Sequence, residues 1–231
     1  MSSDHRPLPR AERDRLHFVR WVLLLVNAAG AAGIGQLTRK QLHLLLFLSF
    51  ASSRFYGIEP LRRRATRTAL GPYYRPAHIA LGELVLSGLV DVKDFTPHAS
   101  AEHFLFEGNF GVTMSGLEVG RRLRGTHTGE KLYAFLLDLC LGAVEGAWHE
   151  ELSRERSSRR RLDKVFEQDL TYQQALQRHG MVLFTEESPE DQVTPTLTGL
   201  REIREYLAET TLVNRRDVLT AYQRLLMQKA A

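Results

Sequence analysis

Val112-Thr113-Met114-Ser115-Gly116-Leu117 reads as the end of a strand running into a helix, and Thr196-Leu197-Thr198-Gly199-Leu200 repeats its pattern 83 residues later. The step has a physical rationale. The second hydroxyl can cap the new helix, and the glycine lets its first turn lie close to a sheet. The alternative is chance recurrence of a strand-to-helix turn, because five positions with three fixed identities are weak evidence for a repeat. The order of elements around the two segments favours two related modules.

Upstream of the first segment, residues 104–113 read as a strand returning to Leu89-Val90-Asp91-Val92, with residues 94–102 and Pro97 as the loop between them. A helix over 76–87 precedes this pair, opened by Pro76 and stopped by Gly88. Thr38-Arg39-Lys40-Gln41 fits a capping box and starts a helix with Leu42, Leu45, Leu46 and Phe50 inward. Before it, a helix over 12–28 carries Leu16, Val19, Leu23 and Val26 on one face and Phe18, Val22 and Leu25 beside them. Helix, helix, helix, strand, loop, strand is the order of a winged helix-turn-helix.

Downstream, a helix over 130–148 is apolar on Leu132, Leu136, Leu139 and Ala143, and again on Tyr133, Leu137, Cys140 and Val144. Two apolar faces predict a buried spine or a partner helix. The Arg- and Ser-rich stretch 153–161 marks a boundary. A shorter version of the first half follows: helices over 162–168 and 171–179, a strand over 181–184, the acidic turn 186–191, a return over 193–196, and a helix to about 209. The last helix, 214–229, has Val218, Tyr222, Leu225 and Leu226 on one face. The expected fold is mainly α with small β wings: tandem winged-helix-like modules joined by a long helix. Its parts are a tail (1–11), a first module (12–128), a connecting helix (129–152) and a smaller second module (153–231).

The 231 residues are 43% hydrophobic and 25% charged, enough to bury one large core or two modest ones. The single cysteine, Cys140, excludes an intramolecular disulfide and a cysteine-cluster zinc site, and fits a cytoplasmic setting. Arg10, Arg13, Arg15 and Arg20 precede the apolar run 21–26, a crude copy of an export signal. Asp4, Glu12, Asp14 and the shortness of the run argue against export, and neither this run nor 44–50 reaches the ~20 apolar residues of a membrane span.

The net charge of +4 is unevenly spread: residues 1–128 hold 17 Lys/Arg against 10 Asp/Glu, and the remainder 14 against 17. Within the basic half, Arg62, Arg63, Arg64, Arg67 and Arg75 with Tyr73 and Tyr74 form a candidate nucleic-acid patch. A solvated arginine surface, or a docking face for an acidic partner, explains it equally well. The third helix offers few base readers, His78 and Glu83 being its most evident polar side chains, which argues against sequence-specific reading. Leu132, Leu136, Leu139, Trp148, Tyr222 and Leu225 are candidate partner-binding residues. No catalytic constellation stands out. Gly30, Gly33 and Gly35 have the wrong spacing for a dinucleotide loop and follow a helix, and no phosphate-binding loop or paired-histidine metal motif is present. The expectation is a non-enzymatic protein without cofactor or metal.

Residues 42–50, Gly71-Pro72-Tyr73-Tyr74, the run from Ala80 to Val90 and Val112-Thr113-Met114-Ser115-Gly116 resemble the middle components of bacterial ABC three-component systems, including the small subunit of Lamassu-type phage defence. The likeness covers about residues 15–125 and is similarly close to generic winged-helix proteins. It implies an accessory subunit that sits with an SMC- or Rad50-like ATPase and an effector, with DNA as a further contact. A clear second half departs from that pattern. The alternative is a dimeric winged-helix transcription regulator, paired through residues 130–148 or the last helix.

Overall fold

The computed structural model describes residues 9–99, 104–151, 163, 166–178, 182–185, 193–209 and 212–230. In chain order its elements are α1 (Arg10–Ala31), β1 (Leu37–Thr38), α2 (Arg39–Ser52), a 3-10 turn (Ser53–Tyr56), β2 (Arg64–Thr68), β3 (Gly71–Tyr73), α3 (Arg75–Leu86), β4 (Val90–Ala99), β5 (Phe104–Val112) and α4 (Met114–Arg124). There follow α5 (His127–Glu151), α6 (Leu170–Gln177), β6 (Val182–Phe184), α7 (Pro195–Ala208) and α8 (Arg215–Ala230). The chain is mainly helical with two small antiparallel sheets, ordered β1-β5-β4 and β3-β2-β6.

The Thr38 capping box forms. The Thr38 hydroxyl accepts from the Gln41 amide at 3.2 Å, and the Gln41 side chain accepts from the Thr38 amide at 3.0 Å. The helix it opens, α2, is buried at every position from Gln41 to Ser52. A helix apolar all round belongs in an interior. Around it pack α1, buried continuously over residues 21–29, and the buried sides of α3, α5 and α8.

Two features depart from the expected layout. Residues 94–102 were expected as a loop, yet β4 runs on to Ala99. It is carried past an irregularity between Lys93 and Thr96, where Asp94 adopts φ 54° and its carboxylate accepts from the Asn109 amide at 2.6 Å. Residues 64–73, where no strand was expected, form the β2–β3 hairpin, in which Thr66 faces Tyr73.

The second half contributes a strand to a sheet of the first. Among the described residues, strand β6 lies against β2 of the first half, with Arg64 facing Phe184 and Thr66 facing Val182. Val193 makes only an isolated bridge, and helix α7 begins at Pro195. The acidic stretch 186–191 and the expected boundary 153–161 lie outside the described residues. One continuous cluster of buried apolar side chains runs from Phe18 through Phe135 to Leu226.

The repeated segments therefore sit differently. Thr113 is the residue before α4, and its hydroxyl accepts from the Gly116 amide at 3.0 Å. The corresponding cap of α7 is Thr194, which accepts from the Leu197 amide at 3.0 Å. Thr196 is already inside the helix, so the 83-residue alignment is displaced by two positions. In both places the cap is the hydroxyl three residues before the receiving amide. Neither the Ser115 nor the Thr198 side chain serves as the cap.

Candidate nucleic-acid and partner interfaces

The hairpin decides what the arginine patch can do. Because β2 and β3 are antiparallel, Arg64 at the start of β2 and Arg75 just beyond β3 lie at the same open end. Both are exposed. The Arg64 guanidinium lies 4.9 Å from the centre of the Phe184 ring, and the Arg178 guanidinium lies 5.4 Å from the same ring. Arg62 is half-exposed, 5.8 Å from the Phe18 ring centre and 3.8 Å from the Asp14 carboxylate. Arg63 is bound to Glu59 at 3.4 Å, a carboxylate already held by Arg54 at 2.6 Å. Arg67 reaches back to the Leu176 carbonyl at 3.4 Å.

Tyr73 and Tyr74 are not part of this surface. They are 8% and 2% exposed, because α2 and α3 close over them. The Tyr74 ring meets Phe50 edge-on at 5.1 Å, and its amide donates to His43 Nδ1 at 3.2 Å. Tyr73 lies 5.0 Å from the His43 ring and 5.7 Å from His78. Burial, with His78 and Arg39 alongside, pushes the His43 imidazole down to about 3, so it is neutral, with its proton on Nε2.

Of the expected partner-binding residues, Leu132, Leu136 and Leu139 are 2% exposed or less and fill the chain's own core. The two apolar faces of α5 are used up by α1 on one side and α8 on the other. Tyr222 is also buried. Its hydroxyl donates to Asp169 Oδ2 at 2.8 Å, and Thr196 donates to the same oxygen at 2.7 Å. Asp169 Oδ1 caps α6 by accepting from the Thr171 and Tyr172 amides at 2.9 and 3.1 Å. Thr171 and Thr196 complete the network through a 2.6 Å hydroxyl contact. Burial raises the Asp169 carboxyl, while the four donors oppose that shift. This network ties α6, α7 and α8 together inside the protein.

Leu225 alone of that set is seen at the surface, 48% exposed in an open groove of about 610 Å³ between α7 and α8, which Tyr206 and Ile203 also line. Trp148 belongs to α5, but its side chain lies outside the described residues.

Sequence reasoning passed over a second surface. On α3, Ile79 is 48% and Leu86 90% exposed. Seven residues apart, they share one face with Arg75 and Glu83. The opposite face, Ala77, Ala80, Leu81 and Leu84, is in the core. Met114 and Leu117 are also exposed at the start of α4, next to the turn after α3, because Thr113 donates to the Gly88 carbonyl at 2.7 Å. The Ile79 and Leu86 spacing was available in the sequence. Arg178 and Phe184 carried no such signal, since only the pairing of β6 with β2 brings them to Arg64.

Among the described residues, no group of three His, Cys, Asp or Glu side chains could hold a metal ion, and no helix is long and apolar enough to cross a membrane. Burial pushes the Cys140 thiol up to about 12, which leaves it unreactive as a thiolate. Compared with models of protein families, with curated proteins and with solved structures, the chain matches none.

Proposed function

We propose that this chain is a non-enzymatic accessory subunit of a DNA-handling assembly built on an SMC- or Rad50-like ATPase and an effector, of the anti-phage or DNA-surveillance kind. Its first half is read as winged-helix-like, supported by the order α1, β1, α2, α3, β4, β5, with the β2–β3 hairpin inserted between α2 and α3, and by the pairing of β1 with β5 beside β4. On that reading α3 stands where a recognition helix stands. The exposed Ile79 and Leu86 on this helix carry the proposal. Base edges are read by Arg, Lys, Asn, Gln and carboxylates. Here Arg75 is the one such group at the helix start, and Glu83 is held by Arg15 at 2.8 Å. An apolar stripe continued by Met114 and Leu117 is the chemistry of a protein contact.

Co-expression of the tagged chain with the products of its neighbouring genes tests this. Stable co-purification is expected, and Ile79→Asp with Leu86→Asp should abolish it without lowering Tm, because both side chains are at the surface. A chain that recruits no ATPase would sink the proposal. The reading as a dimeric transcription regulator draws on the α7–α8 groove around Leu225 as a pairing surface. It requires sequence preference in DNA binding that persists at raised salt.

A further inference from the structure

We infer that the open cleft of about 420 Å³ between the β2–β3 turn and α6 is a binding site for a small monocarboxylate, held by the Arg67 guanidinium and the Tyr172 hydroxyl, with its apolar body on Leu70 and Leu176. The site is independent of the reading of the chain as an accessory subunit, and it lies apart from the exposed face of α3.

Separate parts of the chain meet at this cleft. The hairpin brings Arg67 and Leu70, α6 brings Tyr172 and Leu176, Lys40 comes from the first turn of α2, and Glu167 stands just before α6. Arg67 donates to the Leu176 carbonyl at 3.4 Å, and Lys40 Nζ lies 2.8 Å from Glu167 Oε1 and 3.6 Å from Asp163 Oδ2. Tyr172 is 6% exposed and its ring meets Phe47 edge-on at 5.6 Å. Among the described residues its hydroxyl has no hydrogen-bond partner. That hydroxyl opens on the cleft beside Gly71, where a Cβ would come within 3.5 Å of it; Gly71, at φ 111°, carries none. Burial raises the Tyr172 hydroxyl, Glu167 raises it further, and Lys40 and Arg67 oppose, so it is a protonated donor in the field of those three charges.

The charges select the ligand. Lys40 is occupied by two carboxylates, whereas Arg67 has no carboxylate partner among the described residues and keeps donors beyond the one given to Leu176. One uncompensated guanidinium calls for one negative charge, and its planar fork matches a carboxylate. A phosphate dianion would set a second charge against Glu167 and Asp163. A nucleotide base would need a bare ring to stack on, and the Tyr172 ring is packed on Phe47. Leu70, 48% exposed on the turn, and the half-buried Leu176 offer an apolar wall to the rest of the ligand.

The test titrates the purified full chain with hexanoate, with hexanol and inorganic phosphate as comparisons, and reads binding by calorimetry and ligand-observed NMR. Saturable hexanoate binding with a Kd of about 1 mM or tighter is expected for a ligand of this size. Tyr172→Phe should weaken it about tenfold with Tm unchanged, because the hydroxyl bonds to nothing else while the ring keeps its place on Phe47. Arg67→Gln should weaken it by at least about tenfold. Arg64→Gln, on the same strand but outside the cleft, should change it by less than about twofold. The inference is overturned if hexanoate shows no saturable binding up to about 10 mM. It is overturned equally if Tyr172→Phe binds hexanoate as the wild type does, or if hexanol or phosphate binds as well as hexanoate. The assay needs no partner protein, so failure here leaves co-purification intact, and failure of co-purification leaves this site standing.

Discussion

Thr113 stands outside α4 and caps it, whereas Thr196, its counterpart by sequence, stands inside α7 and donates to a buried carboxylate. The glycines that follow differ as sharply. A Cβ on Gly116 would meet the Leu89 carbonyl oxygen at 2.0 Å, because α4 starts against the turn leading into β4. A Cβ on Gly199 would find its nearest neighbour, the end of the Leu170 side chain, at 3.3 Å. Five similar letters thus encode a close approach of backbones in one place and an ordinary helix interior in the other. A short recurring motif reports local chemistry, and the partner across the fold decides its use.

The comparison can be broken by substitution. Gly116→Ala should be the most damaging, costing about 3 kcal/mol or more, since backbone must move. At 2–4 °C per kcal/mol, Tm should fall by about 10 °C. If Gly199→Ala proves equally harmful, the two glycines are equivalent and the 83-residue alignment regains its meaning.

A pH titration separates the halves next. His43, in the first half, has a folded value of about 3 against an ordinary 6.5. Below about pH 6.5 the unfolded chain takes up a proton that the folded chain refuses. Stability should therefore drop by up to about 1.4 kcal/mol per pH unit towards pH 3. Asp169, in the second half, is raised by burial, so its protonation favours the folded state as pH falls through that raised value. Urea melts from pH 7.5 to 4 should show a loss that starts near 6.5, and His43→Gln should flatten it. A loss confined to the carboxylate range would assign acid sensitivity elsewhere.

Smaller effects sharpen the contrast. Thr196→Val leaves the Asp169 network short of a donor and should cost about 2 kcal/mol. Thr113→Ala removes a helix cap and should cost about 1 kcal/mol. Gly199→Ala should stay within about 1 kcal/mol of neutral, since the gain in helix propensity offsets a mild contact with Leu170. Thermal melts of the series in that order check the ranking.

Much of the local structure was legible because local chemistry dictates it. The capping box at Thr38, the helix stop at Gly88 and the apolar run of α2 each name their element within a few residues. The hairpin at 64–73 was not legible, because Arg64 to Thr68 lack the apolar alternation of a strand, and half the support for β2 comes from β6, far along the chain. The same distance hid Arg178 and Phe184 from the arginine patch. The buried fate of Tyr73, Tyr74 and Tyr222 was hidden for another reason: a tyrosine suits a core or a surface equally, and only neighbours such as His43 or Asp169 settle which. Leu132, Leu136 and Leu139 were read correctly as an apolar face, and it is the chain's own helices that cover it.

The pairing of β6 with β2 also bears on how the chain is made. Arg64 leaves the ribosome about 120 residues before the Phe184 that will lie beside it. At roughly 5–20 residues per second, one edge of β2 waits on the order of ten seconds for its neighbour. An open strand edge recruits other strands. Arg64 and Arg67 keep that waiting edge charged, which disfavours pairing of the nascent chain with another copy of itself.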